Sequence, residues 1–269
     1  MPDRAPVWAR TVGVRASIPD ILSAQRRLNS VAFPILRAAS EFCDVTKPFF
    51  GLSAVGGDNL SISKDSGEPR GRAADAGARV LYAVPGSPAD LVGLREGDVV
   101  LALDGVVSPG GSRGSQFLFD AMEEFDGLHM QLLVRRGTTR ELVRVSPVEI
   151  CDIELDLAVS ATTGAWARSN KVTVSDAMVR FAENDDELAF VISHEISHII
   201  LGHSASSFGR RSVSLEREAD HVGVYLMAKA GYDATRGIYL LVRMAESFPW
   251  SDDSTRYDVI AQLADRISQ

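Results

Sequence analysis

Cysteine is nearly absent from this chain: of 269 residues only Cys43 and Cys151 carry a thiol. That excludes a disulfide-built scaffold and a cysteine-rich structural zinc module. Histidine is almost as scarce, at five residues, so any clustering of it carries weight. No apolar run approaches the ~18 residues that a membrane-spanning helix needs. Positive charge is in deficit, 28 Lys and Arg against 36 Asp and Glu, for a net charge of -8 and a pI near 5.2. That balance argues against nucleic acid or an anionic membrane surface as the main partner. Residues 1–16 mix charge with proline and lack an apolar core, so they read as a poorly ordered lead-in and not as a signal peptide. The expected location is cytoplasmic, or the bacterial cell envelope or periplasm if a leader was removed.

What is present is globular: 45% hydrophobic and 24% charged residues, enough for one large domain or two ordinary ones. The densest chemistry lies in His194-Glu195-Ile196-Ser197-His198, an H-E-x-x-H pattern inside an amphipathic stretch. On a helix, residues four apart share a face, so His194 and His198 can offer two imidazoles to one ion. Glu195 sits about 100° round the helix, better placed to meet a metal-activated water than to join the same stripe. A chain with so few histidines makes this pattern by chance in roughly one per cent or fewer of cases, which favours a metal site over an ordinary surface helix. A catalytic zinc site has three protein ligands and one open position. Candidates for the third are His203, Glu216, Glu218, Asp220 and His221. His203 follows His198 by five residues where the metzincin pattern needs six and a differently placed glycine. It is expected instead to end the helix, where a cation suits the dipole.

Along the chain, Ile21, Leu22, Leu28, Val31, Ile35, Leu36 and Phe42 predict a helix from Ile18, kinked or split at Pro34. Arg26, Arg27 and Arg37 fall on its solvated side. From Phe49 to about Ser146 the texture turns glycine-rich, with short strands, a long polar loop over Gly56 to Gly77, and a helix over Gln116 to Glu124. After Pro147, Ile150 to Leu157 alternates as one half-buried strand. A second strand covers Lys171 to Val174, and a short helix covers Asp176 to Phe181. Asn184 and Glu187 make a capping-box start for the motif helix. Ser204 to Ser212 reads as a flexible loop. Helices follow over Val213 to Ala230, Asp233 to Phe248 and Ser251 to Ser268.

The glycine-rich middle, Gly86 to Gly105 with its G-S-P-A, Gly93-Leu94 and Gly97-Asp98-Val99-Val100 elements, resembles a PDZ domain of the bacterial HtrA-associated kind. The resemblance implies that Phe50-Gly51-Leu52 and the adjoining strand bind an extended peptide or C-terminus by strand addition. The alternative is that Phe50 and Leu52 are ordinary core residues. The last third resembles the gluzincin peptidases that include the HtpX heat-shock protease and the CAAX prenyl protease. The matching residues are the H-E-x-x-H followed by Glu216-x-x-Ala219-Asp220, with Asp185 to Ala189, Gly202-His203 and Ala228 to Asp233 around them. That resemblance implies zinc, one ion per chain, on His194, His198 and Glu216, with Glu195 as the base. It implies Asp220 as the residue that hydrogen-bonds a ligating histidine and fixes its tautomer. Glu218 is then a solvated charge, His221 structural or exposed, and Gly223 a point of close helix approach. Gly164-Ala165-Trp166-Ala167 occupies the place of the family's substrate-pairing edge strand, with Gly164 where Asn is common.

The expected fold is α+β: a mainly helical zincin-type catalytic domain with a small β-sheet, formed by residues 1–47 and 148–269, and an inserted β-rich PDZ-like domain over 48–147. The expected function is zinc-dependent endoproteolysis of protein substrates, with the PDZ-like module recruiting or regulating. The alternative is a peptide-binding, chaperone-like protein with a silent or self-blocked site. Protein or peptide substrates are the expected partners. Many relatives work at membranes, so peripheral association stays open. Cys43 and Cys151 flank the insertion and are either a disulfide in an oxidising compartment or two thiols.

Overall fold

A computed structural model describes residues 17–56, 77–111, 113–203, 213–247 and 261–262. The expectations for residues 1–16, for the loops within 57–76 and 204–212, and for nearly all of the last helix lie outside these residues. The chain divides into two compact units, residues 46–150 and the flanking stretches 1–45 and 151–269.

In the flanking unit, α1 (Ile18–Ala39) starts at a full capping box. Ser17 caps the Asp20 N–H while the Asp20 carboxylate takes the Ser17 N–H at 3.0 Å. The helix runs on through Pro34, so the expected split does not occur. Pro34 forgoes its own N–H bond and its ring crowds the carbonyl one turn earlier, and the buried row Leu28, Val31, Ala32, Ile35 and Leu36 holds the turns on either side against the core. Arg27 is no solvated bystander. Its guanidinium donates to the carbonyls of Val179 and Ala182 at 2.6 and 3.0 Å and pairs with Asp185 at 2.8 Å.

The small sheet has the order β10 (Ala165–Arg168), β11 (Lys171–Ser175), β9 (Glu154–Ala158), antiparallel then parallel. The predicted single strand over Ile150 to Leu157 is two. β8 (Val148–Cys151) pairs with β1 (Thr46–Phe49), while β9 joins β11. The break comes where the Asp152 N–H turns to the carbonyl of Val45 and the Ile153 N–H to that of Cys151. Alternation of side chains continues across such a turn, so periodicity alone does not reveal it. α4 (Asp176–Phe181) follows β11 directly, then come α5 (Asp185–Ile200), α6 (Val213–Lys229) and α7 (Arg236–Ser247). α5 is the central element, buried at every position from Glu187 to His198 and packed by α1, α6, α7, β10 and β11. Cys43 and Cys151 are joined as a disulfide.

In the other unit, the sheet order is β2 (Leu52–Gly56), β3 (Ala78–Ala83), β4 (Val99–Leu103), β6 (Met130–Arg136), β7 (Thr139–Val145), with β5 (Val106–Val107) hairpinned onto β4. All these pairs are antiparallel. The β4–β5 turn uses Asp104 at φ 46° and Gly105 at φ 82°, as a two-residue Asp-Gly hairpin requires. α2 (Pro88–Leu91) is a short helix after β3, and α3 (Arg113–Glu123) packs against β1, β2 and β3 around a core of Val80, Val100, Leu118, Leu132 and Val134. Among the described residues no helix is long and apolar enough to cross a membrane.

Candidate metal centre

The site is built on α5 and α6. Asn184 starts α5 by accepting the Glu187 N–H at 3.0 Å, but the Glu187 carboxylate reaches past the cap to the Glu183 N–H at 2.8 Å. Both its oxygens also take hydrogen bonds from Arg243 of α7. Within the buried helix, Ser197 donates to the Ser193 carbonyl at 2.7 Å and Ser193 to the Phe190 carbonyl at 3.1 Å. No hydroxyl is thereby left to draw water into the core.

His194 and His198 share one face of α5, their rings edge-on at 4.6 Å between centroids. α6 crosses close by, because a Cβ on Gly223 would lie only 3.1 Å from the backbone nitrogen of His194. That closeness sets Glu216, in the first turn of α6, opposite both imidazoles. Its Oε2 lies 3.2 Å from Nε2 of His194 and its Oε1 3.5 Å from Nε2 of His198. The two Nε2 atoms are 3.1 Å apart. Of the other third-ligand candidates, Asp220 is fully buried and lies 2.9 Å from Nδ1 of His194, on the ring's far side. His221 is exposed and donates its Nδ1–H to the Arg217 carbonyl at 2.8 Å. Glu195 follows His194 on α5 and is buried, 7% exposed.

Two imidazole nitrogens and a carboxylate are a zinc-type donor set. Zinc bonds of about 2.0–2.1 Å in tetrahedral arrangement put neighbouring donor atoms roughly 3.3 Å apart. The two Nε2 atoms, 3.1 Å apart, and Nε2 of His194 with Oε2 of Glu216, 3.2 Å apart, lie near that value, and the other carboxylate oxygen, Oε1, is 3.5 Å from Nε2 of His198. One donor atom from each residue lies within 4.8 Å of the others, so the residues fit such an ion. Among the described residues this is the cluster of His, Cys, Asp and Glu able to hold a metal.

Two site neighbours add contacts. His203 does not end α5 but lies two residues past its C-cap Leu201, and its ring turns back on the motif, with Nδ1 2.9 Å from Nδ1 of His198. Glu218 is the expected solvated charge, 55% exposed, and its Oε2 lies 3.4 Å from Nε2 of His203. The Gly202-His203 pair after the apolar run was the available sequence signal, because glycine just past a helix end folds the next residue back.

β10 is an edge of its sheet. Gly164 faces inward: its carbonyl accepts the Ser175 N–H at 2.9 Å and its N–H goes to Oγ of Ser175 at 3.0 Å. Antiparallel ladders alternate, so the main-chain groups of Ala165 turn outward and those of Trp166 turn toward Thr173. In the PDZ-like unit, the Phe50 ring is 3% exposed, T-shaped against Phe125, so its side chain is core. Gly51 at φ 77° brings the chain against Ser87, whose Cβ would be 2.1 Å from a Cβ at 51. Leu52 opens β2, at the sheet edge facing α3.

Comparison with known proteins agrees with both halves. Residues 152–215 match the family model described as Peptidase family M48, and residues 79–116 match the one described as PDZ domain. No curated protein matches the chain. Among solved structures, the HtrA3 PDZ domain bound to a phage-derived ligand is 22% identical at a TM-score of 0.31, over 39% of this chain and 89% of that one. The HtrA-type protease AlgW with decapeptide is 22% identical at a TM-score of 0.29, over 39% of this chain and 30% of its own. The photosystem II D1 C-terminal processing protease is 16% identical at a TM-score of 0.25, over 37% of this chain and 29% of its own.

Proposed function

We propose that this chain, an M48-type peptidase carrying a PDZ domain, is a zinc-dependent metalloendopeptidase acting on protein substrates, with one zinc ion per chain. The observation that carries the proposal is the convergence of His194, His198 and Glu216, which offer one donor atom each within 4.8 Å of one another. Bound there, zinc supplies a Lewis acid that polarises a peptide carbonyl and makes water acidic enough to be activated near neutral pH. Glu195 takes the proton from the attacking water and returns it to the nitrogen of the departing amine. Asp220 accepts the Nδ1–H of His194, which leaves the ring's Nε2 lone pair free for the ion. The Gly164–Ala167 stretch receives the substrate in extended form, Ala165 offering its outward N–H and carbonyl to the substrate backbone. In the inserted domain, residues 48–147, the Phe50-Gly51-Leu52 loop and β2 take a C-terminal or extended peptide, which recruits substrate or regulates cleavage.

The test is Glu195→Gln in the full chain. Zinc stays bound at one per chain, and cleavage of an unfolded protein such as casein falls by about 10²–10⁴-fold, the range for losing a general base. Full cleavage by this variant overturns the assignment of the base. Cleavage by the unmutated chain that survives a chelator overturns the metal.

A further inference from the structure

His203 stands where helix-end geometry aims a side chain. Gly202 has φ 64°. Its N–H goes to the Ile199 carbonyl at 3.0 Å, and the His203 N–H reaches back to the His198 carbonyl at 2.9 Å. These are the two bonds of a Schellman motif, which brings the second residue past the helix end onto the residue five before it. An apolar contact frequently fills that place in such motifs. Here both residues are histidines, and the contact is the 2.9 Å approach of their Nδ1 atoms. The His203 side chain is 6% exposed. An imidazole so enclosed is costly unless its nitrogens are partnered.

We propose that His203, backed by Glu218, is a positioning residue that fixes the tautomer and ring orientation of His198. The proposal rests on the metal reading of His194, His198 and Glu216. With the Nε2 lone pair of His198 turned to the ion, its hydrogen resides on Nδ1 and is donated to Nδ1 of His203. The hydrogen of His203 then resides on Nε2, 3.4 Å from Oε2 of Glu218. Oε1 of Glu218 accepts the Ser214 hydroxyl at 3.2 Å. Each imidazole ligand thus has an outer carboxylate. For His194 it is Asp220, directly and fully buried; for His198 it is Glu218, through an interposed imidazole and 55% exposed. The second arrangement lets the rim of the site, not its core, steady one ligand.

The experiment measures zinc affinity of the full chain by competition with a chromophoric chelator. His203→Ala weakens zinc binding about 10–100-fold, the range for losing an outer partner of a ligand. His203→Gln, whose side-chain carbonyl can accept from Nδ1 of His198, recovers most of the loss, which a mere space-filling role would not require. Zinc binding unchanged in His203→Ala overturns the positioning role while leaving the metal site intact. No zinc binding by the unmutated chain overturns the metal reading itself, and this proposal with it. If His203→Ala does not fold, long-range nitrogen–proton NMR on the unmutated zinc-loaded chain decides. Hydrogen on Nδ1 of His198 and on Nε2 of His203 is expected; hydrogen on Nδ1 of His203 overturns the proposal.

Discussion

Glu187 sets the entry of the motif helix, and its charge state is a matter of competing forces. Burial, with the side chain 2% exposed, pushes its carboxyl up. The Arg243 hydrogen bonds, the Glu183 N–H and the charges of Arg243 and Arg236 outweigh that and hold it below the ordinary carboxylate range. A folded value below the unfolded one means stability that is present above the unfolded pKa of about 4.3 and lost as pH falls through the folded value. Glu187→Gln should therefore cost about 1–3 kcal/mol at neutral pH, with the gap to the unmutated chain closing in acid. Urea unfolding at a series of pH values reads this out, and a gap independent of pH would assign the loss to shape and not to charge. At this scale the sequence was most legible where one residue type has one chemistry. His194, Glu195 and His198 announce themselves by spacing. Arg27, Glu218 and His203 do not, because their partners lie on other elements or past a chain reversal: Ala182 and Val179 for Arg27, and each other for the last two.

Between elements, the approach of α5 and α6 decides whether two histidines become a three-donor site. Gly223 permits it, since a Cβ there would sit 3.1–3.3 Å from backbone atoms of His194 and Ser193. A helix backbone cannot yield as a flexible side chain can. Gly223→Ala should push the helices apart, lower stability by about 1–3 kcal/mol and loosen zinc, because Glu216 rides on α6. Gly231→Ala, at φ 91° past the end of α6, is the control. Nothing lies within 4 Å of a Cβ there, so it pays only the left-handed backbone cost, about 1–2 kcal/mol. Thermal unfolding of the metal-free chains beside chelator competition separates the two. Equal zinc affinity in Gly223→Ala would mean that helix spacing does not set the site. Helices with strong caps were legible: α4 occupies its predicted span, and α5 starts after Asn184 as expected. Alternation over Ile150 to Leu157 predicts one strand where the structure has two, because alternation reports which residues face inward, not which neighbour they pair with. α3 begins at Arg113, before the Gln116 expected from its apolar stripe, since its first turn adds the buried Gly114 against Gly77 and carries no large apolar residue.

For the whole chain, the change of texture after Lys47 and again after Pro147 sets the expected borders of residues 48–147, and the compact units are residues 46–150 and the flanking stretches 1–45 and 151–269. Composition shows such a boundary because a glycine-rich β unit and an apolar helical unit obey different periodicities. What composition could not decide was the state of the two cysteines that bracket the insertion. They are bonded, 108 residues apart in sequence, and the Asp152 N–H meets the Val45 carbonyl at 3.0 Å beside them. A bond of this kind persists in oxidising compartments and is rare in reducing ones. Closing so long a loop restricts the unfolded chain, a gain of about 2–4 kcal/mol for a typical disulfide. The intact protein should therefore weigh two hydrogen atoms less than its reduced form. Replacing both Cys43 and Cys151 by Ser should lower the urea midpoint of the unit formed by residues 1–45 and 151–269 under oxidising conditions. Adding reductant should bring the unmutated chain down to the variant and leave the variant where it is. Coincident midpoints without reductant would mean that the bond contributes nothing to holding residues 1–45 and 151–269 together.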